Sequence, residues 1–470
     1  MAENPDKPTS PIDEGITAED LGNVYLIGVG GVGMNGLTRL YATRGIPTSG
    51  AELADWPNLP ELERQGVRLH RSHSVDNLDG VDTVVRSTAI NDEHMEIKEA
   101  RERGLRVYHR SEALAAAMTG LKSVVVTGTH GKTTTTAIVT QMLASAGLDP
   151  SYVNGGEIID AHTGAHGKGE HFVAEADESD RSFLRYRPHV GIITNIDADH
   201  LNVYGTMSAL TAAFDQFALN TDPEGAVVAC ADDEGTMALA RRARDRGRTV
   251  ITYGCSEEAD VRLHDVRSSV EGVTYRVSRD GEELGEVTLP MPGRHIALNS
   301  GAAVAAGLFL GLDFDAIARG IKSFTGVRRR FEKRGTKNGA HVYDEYAYHP
   351  TAMREAITTL KEVAAPGRLI VVFLPYRVYR TVEFRGEIAG ALSGADAVVC
   401  MEVFGPGEEI PEGAGRSLLD AVDLPDEAKV FVPEWDDVPA AALELAEPGD
   451  LVVTMGAPPI SMMPERILEA

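Results

Sequence analysis

Lys132 and Thr133 are the residues of this chain best equipped for chemistry, because they follow a glycine turn in the run Val126-Thr127-Gly128-Thr129-His130-Gly131-Lys132-Thr133-Thr134. Gly128 and Gly131 let the backbone curl until its N–H groups converge on an anion, and a helix starting there adds partial positive charge. Lys132 then reaches the β- and γ-phosphates of a nucleotide, and the Thr133 hydroxyl is placed to ligate Mg²⁺. Threonines at 133–136 are poor choices for a first helical turn, so something other than helix propensity put them there. Two acidic runs follow apolar stretches. Phe172 to Asp180 carries Glu175, Asp177, Glu178 and Asp180, and Ile193 to His200 ends in Asp197, Asp199 and His200. Acids beside a phosphate loop suit Mg²⁺, which bridges carboxylate and phosphate oxygens. Two strand ends so equipped suit two-metal phosphoryl transfer.

A second glycine turn, Gly28-Val29-Gly30-Gly31-Val32-Gly33, has the spacing of a dinucleotide fingerprint, with Glu52 about twenty positions on. What it specifies physically is a diphosphate at a helix N-terminus, which both NAD and UDP-sugars carry.

These groups need strands and helices to hold them. Short apolar runs predict strands at Val24–Gly28, Val81–Arg86 and Leu105–Tyr108, with a helix over Met34–Arg44. A second set runs Val124–Gly128, Phe172–Ala176, Val190–Thr194, Ala226–Ala229 and Thr249–Tyr253, as in a parallel sheet covered on both faces, with a helix over Ala137–Ala146. From Val261 to Leu289 the pattern alternates, and Asp280-Gly281 predicts a hairpin, so an antiparallel appendage is expected. Ile296 to Leu310 reads as a buried helix. A last set comprises Val342–Asp344, Leu369–Leu374, Ala397–Met401, Lys429–Val432 and Leu451–Met455. The fold expected is α/β in three domains. A flexible tail, 1–20, precedes a Rossmann-like N-terminal domain, 21–117. A central phosphate-loop ATPase domain, 118–326, and a Rossmann-like C-terminal domain, 327–470, follow.

The 470 residues carry 45 basic and 71 acidic side chains, a net charge of −26, which disfavours nucleic acid or an anionic membrane as partner. A phosphate-rich substrate must find local basic clusters such as Arg328-Arg329-Arg330. Cys230, Cys255 and Cys400 are far apart and flanked by apolar residues, consistent with reduced thiols in a cytoplasmic protein. No apolar run approaches the roughly 18 residues of a membrane span. The polar first residues, with prolines at 5, 8 and 11, lack a signal core.

Only two residues separate Gly128 from Gly131, whereas the usual phosphate loop has four between its first glycine and the Gly-Lys pair. The shorter form resembles that of the Mur ligase family, ATP-dependent enzymes that join a carboxylate to an amine. His130 points to the branch acting on UDP-N-acetylmuramate. The resemblance spans residues 24 to about 460. It implies that Gly28, Gly30, Gly31, Val32 and Gly33, with Glu52 and Ser87, hold a UDP-sugar. It implies that Gly128, Thr129, His130, Gly131, Lys132, Thr133 and Thr134 cradle ATP, and that Thr133, Glu175 and His200 hold Mg²⁺. Lys132, Glu175 and His200 form the implied catalytic set.

Gly293-Arg294-His295-Ile296-Ala297-Leu298-Asn299 is similar to the family's adenine-contacting segment, keeping His295 and Asn299 but with Ile296 for an asparagine. Arg330 matches the family's junction arginine, a phosphate clamp, and Asp344 the residue implied to bind the ATP ribose. The last third departs most. Tyr348 stands for a histidine in Asp344-Glu345-Tyr346-Ala347-Tyr348-His349-Pro350. Leu374, Tyr376 and Tyr379 replace Gln, His and Ser around Arg377 and Arg380, and Pro458-Pro459 replaces Gly-Asp. The resemblance places Tyr346, Tyr348, His349, Tyr376, Arg377 and Arg380 around the incoming amine. The implied reaction joins UDP-N-acetylmuramate, or a related UDP-sugar acid, to an amino acid, L-alanine or a different one, in a monomer or homodimer. Three alternatives stay open: a specialised-metabolism paralogue, a muropeptide-recycling ligase and a non-catalytic nucleotide-sugar binder.

Overall fold

The computed structural model describes residues 15–269 and 271–470. Most of the tail expected at 1–20 lies outside the described residues. Its last residues are built into the protein: Ala18 is buried, Glu19 and Asp20 enter a 3₁₀ turn that ends at the buried Leu21, and Glu19 pairs with Arg44 at 2.6 Å. The chain forms two compact units. One holds the chain as far as Asp265 with Tyr275–Val287 and Leu298–Thr325; the other holds Val266–Thr274, Thr288–Ala297 and Gly326–Ala470. No helix among the described residues is long and apolar enough to cross a membrane.

The first sheet contains β1 (Val24–Ile27), β2 (Thr48–Ala51), β3 (Arg68–His70), β4 (Thr83–Arg86) and β5 (Arg106–His109), all parallel in the order β3-β2-β1-β4-β5. All four residues of β1 are buried, the condition under which a strand reads as a continuous apolar run. The strand order reverses at β1, so the glycine turn after it opens into the crevice where α/β sheets bind ligands.

The second sheet contains β6 (Lys122–Thr127), β7 (Ser151–Val153), β8 (Gly164–Ala165), β9 (His171–Glu175), β10 (Val190–Ile193), β11 (Ala226–Cys230), β12 (Val250–Gly254), β13 (Val261–Ser269), β14 (Gly272–Arg279) and β15 (Glu282–Leu289). Their order is β15-β14-β13-β12-β11-β10-β6-β9-β7-β8. Asp280 and Gly281 both have positive φ, as the tight hairpin between β14 and β15 requires. The strand β6 lies between β9 and β10, parallel to both, with Val126 level with Glu175 and Thr127 level with Ile193. That register brings both acidic strand ends alongside the phosphate loop.

The third sheet contains β16 (Glu332–Lys337), β17 (Ala340–Glu345), β18 (Leu369–Phe373), β19 (Ala397–Cys400), β20 (Lys429–Phe431) and β21 (Leu451–Met455), in the order β16-β17-β21-β18-β19-β20. It is parallel except for β16, an edge strand antiparallel to β17.

The helix expected from Ala137 begins five residues earlier and spans Lys132–Ser145. Thr133 to Thr136 are buried in its first turn, with Thr135 and Thr136 at 0% exposure, so packing explains what propensity did not. The helix expected at Ile296–Leu310 spans Arg294–Phe309, with Ala302 to Ala306 fully buried.

Candidate active site

Gly131 caps the helix Lys132–Ser145 at φ 82°, a left-handed conformation that disfavours any residue with a Cβ. A Cβ there would also strike the Asn299 carboxamide, so Asn299, expected at the adenine, lies against the phosphate loop. The tail of β10 straps the loop. Asn195 Oδ1 accepts the His130 amide at 2.8 Å, Asn195 Nδ2 and Thr194 Oγ1 donate to the His130 carbonyl at 3.0 and 2.6 Å, and the Asp197 amide donates to Thr129 Oγ1 at 2.9 Å. His130 Nε2 faces Asp197 at 3.4 Å.

Lys132 Nζ donates to the Gly128 carbonyl at 2.7 Å, to the Thr129 carbonyl at 3.2 Å and to the Glu178 carboxylate at 2.9 Å. Burial opposes its charge, but Glu178, Asp177 and Glu175 outweigh it and hold the lysine above its ordinary pKa. Glu178 is 1% exposed, and burial pushes its carboxyl up to about 7 despite the ammonium.

Glu175 accepts the Thr133 hydroxyl at 3.1 Å on one oxygen and the Gly155 amide at 2.7 Å on the other. Two oxygens of one octahedral Mg²⁺ shell lie about 2.9 Å apart for bonds of 2.0–2.1 Å. The Thr133–Glu175 pair therefore fits such an ion. Nε2 of His200, the third expected ligand, lies 3.9 Å from Glu178 and 3.6 Å from Asp199. His200 sits at φ 54° before a short helix, Leu201–Tyr204, and Thr134 is buried in the turn behind the loop. The sequence pointed to acids here, but not to Glu178 as the lysine's partner, nor to Asn195 and Gly155 as braces.

At the first glycine turn, Gly28 donates its amide to the Ala51 carbonyl at 2.8 Å, and the following helix spans Val32–Arg44. Glu52 accepts the Gly30 amide at 2.9 Å and the Ala54 amide at 3.0 Å, so it fastens the turn to the segment after β2. The Arg110 guanidinium lies against Gly33 and the exposed Trp56 ring against Gly30. Arg110 is a cation at the mouth of this turn that the sequence pattern did not single out. Gly31 is the helix N-cap, and Ser87 begins the turn after β4, its carbonyl accepting the Ile90 amide at 3.1 Å.

In the other unit, burial of His295 lowers its pKa to about 4, and its ring lies 5.5 Å from that of Phe331. Asp344, expected at the ATP ribose, lies buried in this unit. It is 0% exposed; one oxygen takes Arg329 Nε at 3.1 Å and the other the Thr454 hydroxyl at 3.0 Å. Arg330 lies 3.9 Å from Glu345, and both Arg329 and Arg330 cover the Tyr346 ring at 4.7 and 4.8 Å.

The acceptor residues do gather. Tyr348 stands 5.6 Å from Tyr346 and 6.0 Å from Tyr376, and Arg380 covers Tyr348 at 4.6 Å. His349 is buried, 5.6 Å from Phe384. Arg377 lies 3.5 Å from Glu408 and donates to the Pro406 carbonyl at 3.0 Å.

Three family models match the chain in succession: "Mur ligase family, catalytic domain" over 23–121, "Mur ligase middle domain" over 126–307, and "Mur ligase, glutamate ligase domain" over 329–458. A protein of Salinispora arenicola named UDP-N-acetylmuramate–L-alanine ligase is 58% identical over 457 residues, covering 97% of this chain and 89% of its own. One of the same name from Acidothermus cellulolyticus is 46% identical, covering 97% and 96%. The solved UDP-N-acetylmuramate–alanine ligase of Thermotoga maritima superposes with a TM-score of 0.81 at 27% identity, covering 95% of this chain and 98% of that one. The short phosphate loop, its strapped lysine and these matches along nearly the whole length agree: the chain belongs to the Mur ligase family.

Proposed function

We propose that this chain is an ATP-dependent ligase that joins the lactyl carboxylate of UDP-N-acetylmuramate to the amine of L-alanine in the cytoplasm, giving ADP and phosphate. The observation that carries it is the phosphate loop at the level of two acidic strand ends, in a chain 58% identical across 97% of its length to a protein named for that reaction. In this reading the carboxylate attacks the γ-phosphate, and the acyl phosphate formed is then attacked by the amine. Lys132 moves from Glu178 to the transferring phosphoryl group and balances its charge. Thr133, Glu175 and His200 are the residues that would hold Mg²⁺, which when bound neutralises phosphate charge. The turn at Gly28–Gly33, with Arg110, receives the sugar-nucleotide diphosphate. Asn299, which lies against the phosphate loop, completes the nucleotide cradle of its unit, and His295 and Arg330 are proposed nucleotide contacts of the other.

A second reading, a different small amino acid as acceptor, is favoured by one observation: Tyr348 and Tyr376 stand where the family has smaller or more basic groups, and their rings close to 6.0 Å. Competing amino acids in one reaction with UDP-N-acetylmuramate, with ADP release and product masses measured, tests both. L-Alanine should dominate. A non-alanine product in excess favours the second reading, and no ADP release with any amine refutes the ligase.

A further inference from the structure

The first sheet carries a second group of ligating side chains that the reaction above does not use. His73 follows β3, and His94 and Glu96 stand at the start of the helix Met95–Glu102. One ligand atom from each of His73, His94 and Glu96 lies within 4.8 Å of the others. Glu96 is 0% exposed, and its two oxygens have divided roles. Oε1 accepts the Tyr25 hydroxyl at 2.6 Å, the Asn77 amide at 3.0 Å and the Ser74 N–H at 3.1 Å. Those three donors hold the carboxylate in place and leave Oε2 to face the imidazoles, His73 Nδ1 at 3.0 Å and His94 Nδ1 at 3.9 Å.

The tautomer of His94 is set by its backbone neighbour. Its Nδ1 accepts the Glu96 amide at 3.3 Å, so that nitrogen carries a lone pair. Burial lowers the His94 pKa, with the adjacent His73 acting in the same direction. His94 Nδ1 and Glu96 Oε2 lie 3.9 Å apart across one small space, and an ion bound there would take the Nδ1 lone pair from the Glu96 amide. The His73 and His94 rings meet edge to face at 4.5 Å, and their side chains are 23% and 18% exposed, which leaves a path for an ion and a water.

We propose that His73, His94 and Glu96 form a binding site for a zinc-class divalent transition ion, with water as fourth ligand. Two imidazole nitrogens and one carboxylate oxygen make a donor set typical of such ions, and Tyr25, Ser74 and Asn77 supply the outer hydrogen bonds that fix the carboxylate. Tetrahedral bonds of 2.0–2.1 Å separate ligand atoms by about 3.4 Å, between the 3.0 and 3.9 Å found here. Each of these two separations reaches that value by a shift of about half an ångström. To ligate an ion, His73 Nδ1 must present a lone pair in place of any proton shared with Glu96.

The test uses the full chain stripped with a chelator, then titrated with Zn²⁺ by calorimetry and with Co²⁺ by visible absorption. One equivalent is expected to bind, with the intense bands of a four-coordinate cobalt site. His94→Asn keeps a cap acceptor for the helix, and His73→Asn leaves the buried carboxylate its other donors. Each should weaken binding at least about a hundredfold, since losing even an outer partner costs 10–100-fold. Melting without metal should match the parent, which separates ligand loss from misfolding. His200→Asn should leave the high-affinity equivalent intact. Binding that survives both His73→Asn and His94→Asn, or that disappears with His200→Asn, overturns the proposal, as does the absence of a one-equivalent site.

Discussion

Replacing Lys132 by Met removes an ammonium that serves the fold and the reaction through different partners, and the two losses can be separated. In the fold, the side chains of Lys132 and Glu178 are 15% and 2% exposed, and they meet at 2.9 Å. Deleting one partner of a buried pair costs about 3–5 kcal/mol, and the lysine's partial exposure favours the lower figure, about 3 kcal/mol. Glu178, already pushed up to about 7 from 4.5 by burial, also loses the charge that pulled it down. Its folded pKa then lies further above the unfolded value, so the folded state holds the proton and stability falls as pH rises between the two. Urea unfolding of Lys132→Met should therefore be weaker at pH 8 than at pH 6. Adding Glu178→Gln should recover most of the stability and flatten that pH dependence. In the reaction, loss of the charge on the phosphoryl group should lower kcat about a thousandfold, roughly 4 kcal/mol, and the double variant should stay inactive. ADP release under saturating substrates reads this directly. Turnover within tenfold of the parent, or a single variant as stable as the parent at pH 8, would refute the reasoning.

Gly155→Ala places a methyl against the Glu175 carboxylate, so the Mg²⁺ concentration for half-maximal activity should rise about tenfold while kcat at saturating Mg²⁺ is largely kept. Asp344→Ala should cost about 3 kcal/mol in denaturant unfolding, because Arg329 and Thr454 lose their buried partner; a raised KM for ATP with unchanged stability would restore the ribose role. Titration of the full chain should show UDP-N-acetylmuramate binding and no NADH binding, with Arg110→Ala weakening the former about tenfold through loss of a charge-assisted phosphate contact. Tight NADH binding would reassign the first glycine turn.

The parts of this molecule legible in the sequence are those whose signal is local. Val124–Val126 and Leu369–Phe373 are buried on both faces, and their strands were expected within a residue or two at either end. The strand Thr48–Ala51 was not, because Thr-Ser-Gly-Ala carries no apolar pattern and is a strand only through pairing with its neighbours β1 and β3. Glu332–Lys337, a charged edge strand, was missed for the same reason. In the site, the glycine spacing made the phosphate loop readable, and Thr133 and Glu175, both singled out from the sequence, meet at 3.1 Å. The contact of Lys132 with Glu178 joins residues 46 positions apart and depends on sheet order, which spacing along the chain does not encode. Asp344 shows the same limit: the motif fixes the residue type, while its contacts with Arg329 and Thr454 come from the fold.

The strap from β10 to the phosphate loop has a consequence for the chain during its own synthesis. The His130 amide and carbonyl are held by Asn195, 65 residues downstream, and Thr129 by Asp197, 68 residues downstream. A growing polypeptide that has released the loop, the lysine and its helix still lacks the segment that shapes them, and such distant closures come late in folding. At about 5–20 residues per second, several seconds separate the emergence of His130 from that of Asn195. Through that interval a nascent chain on the ribosome has no assembled nucleotide pocket, and ATP, abundant around it, has nothing to bind until the strand that finishes the cradle has arrived.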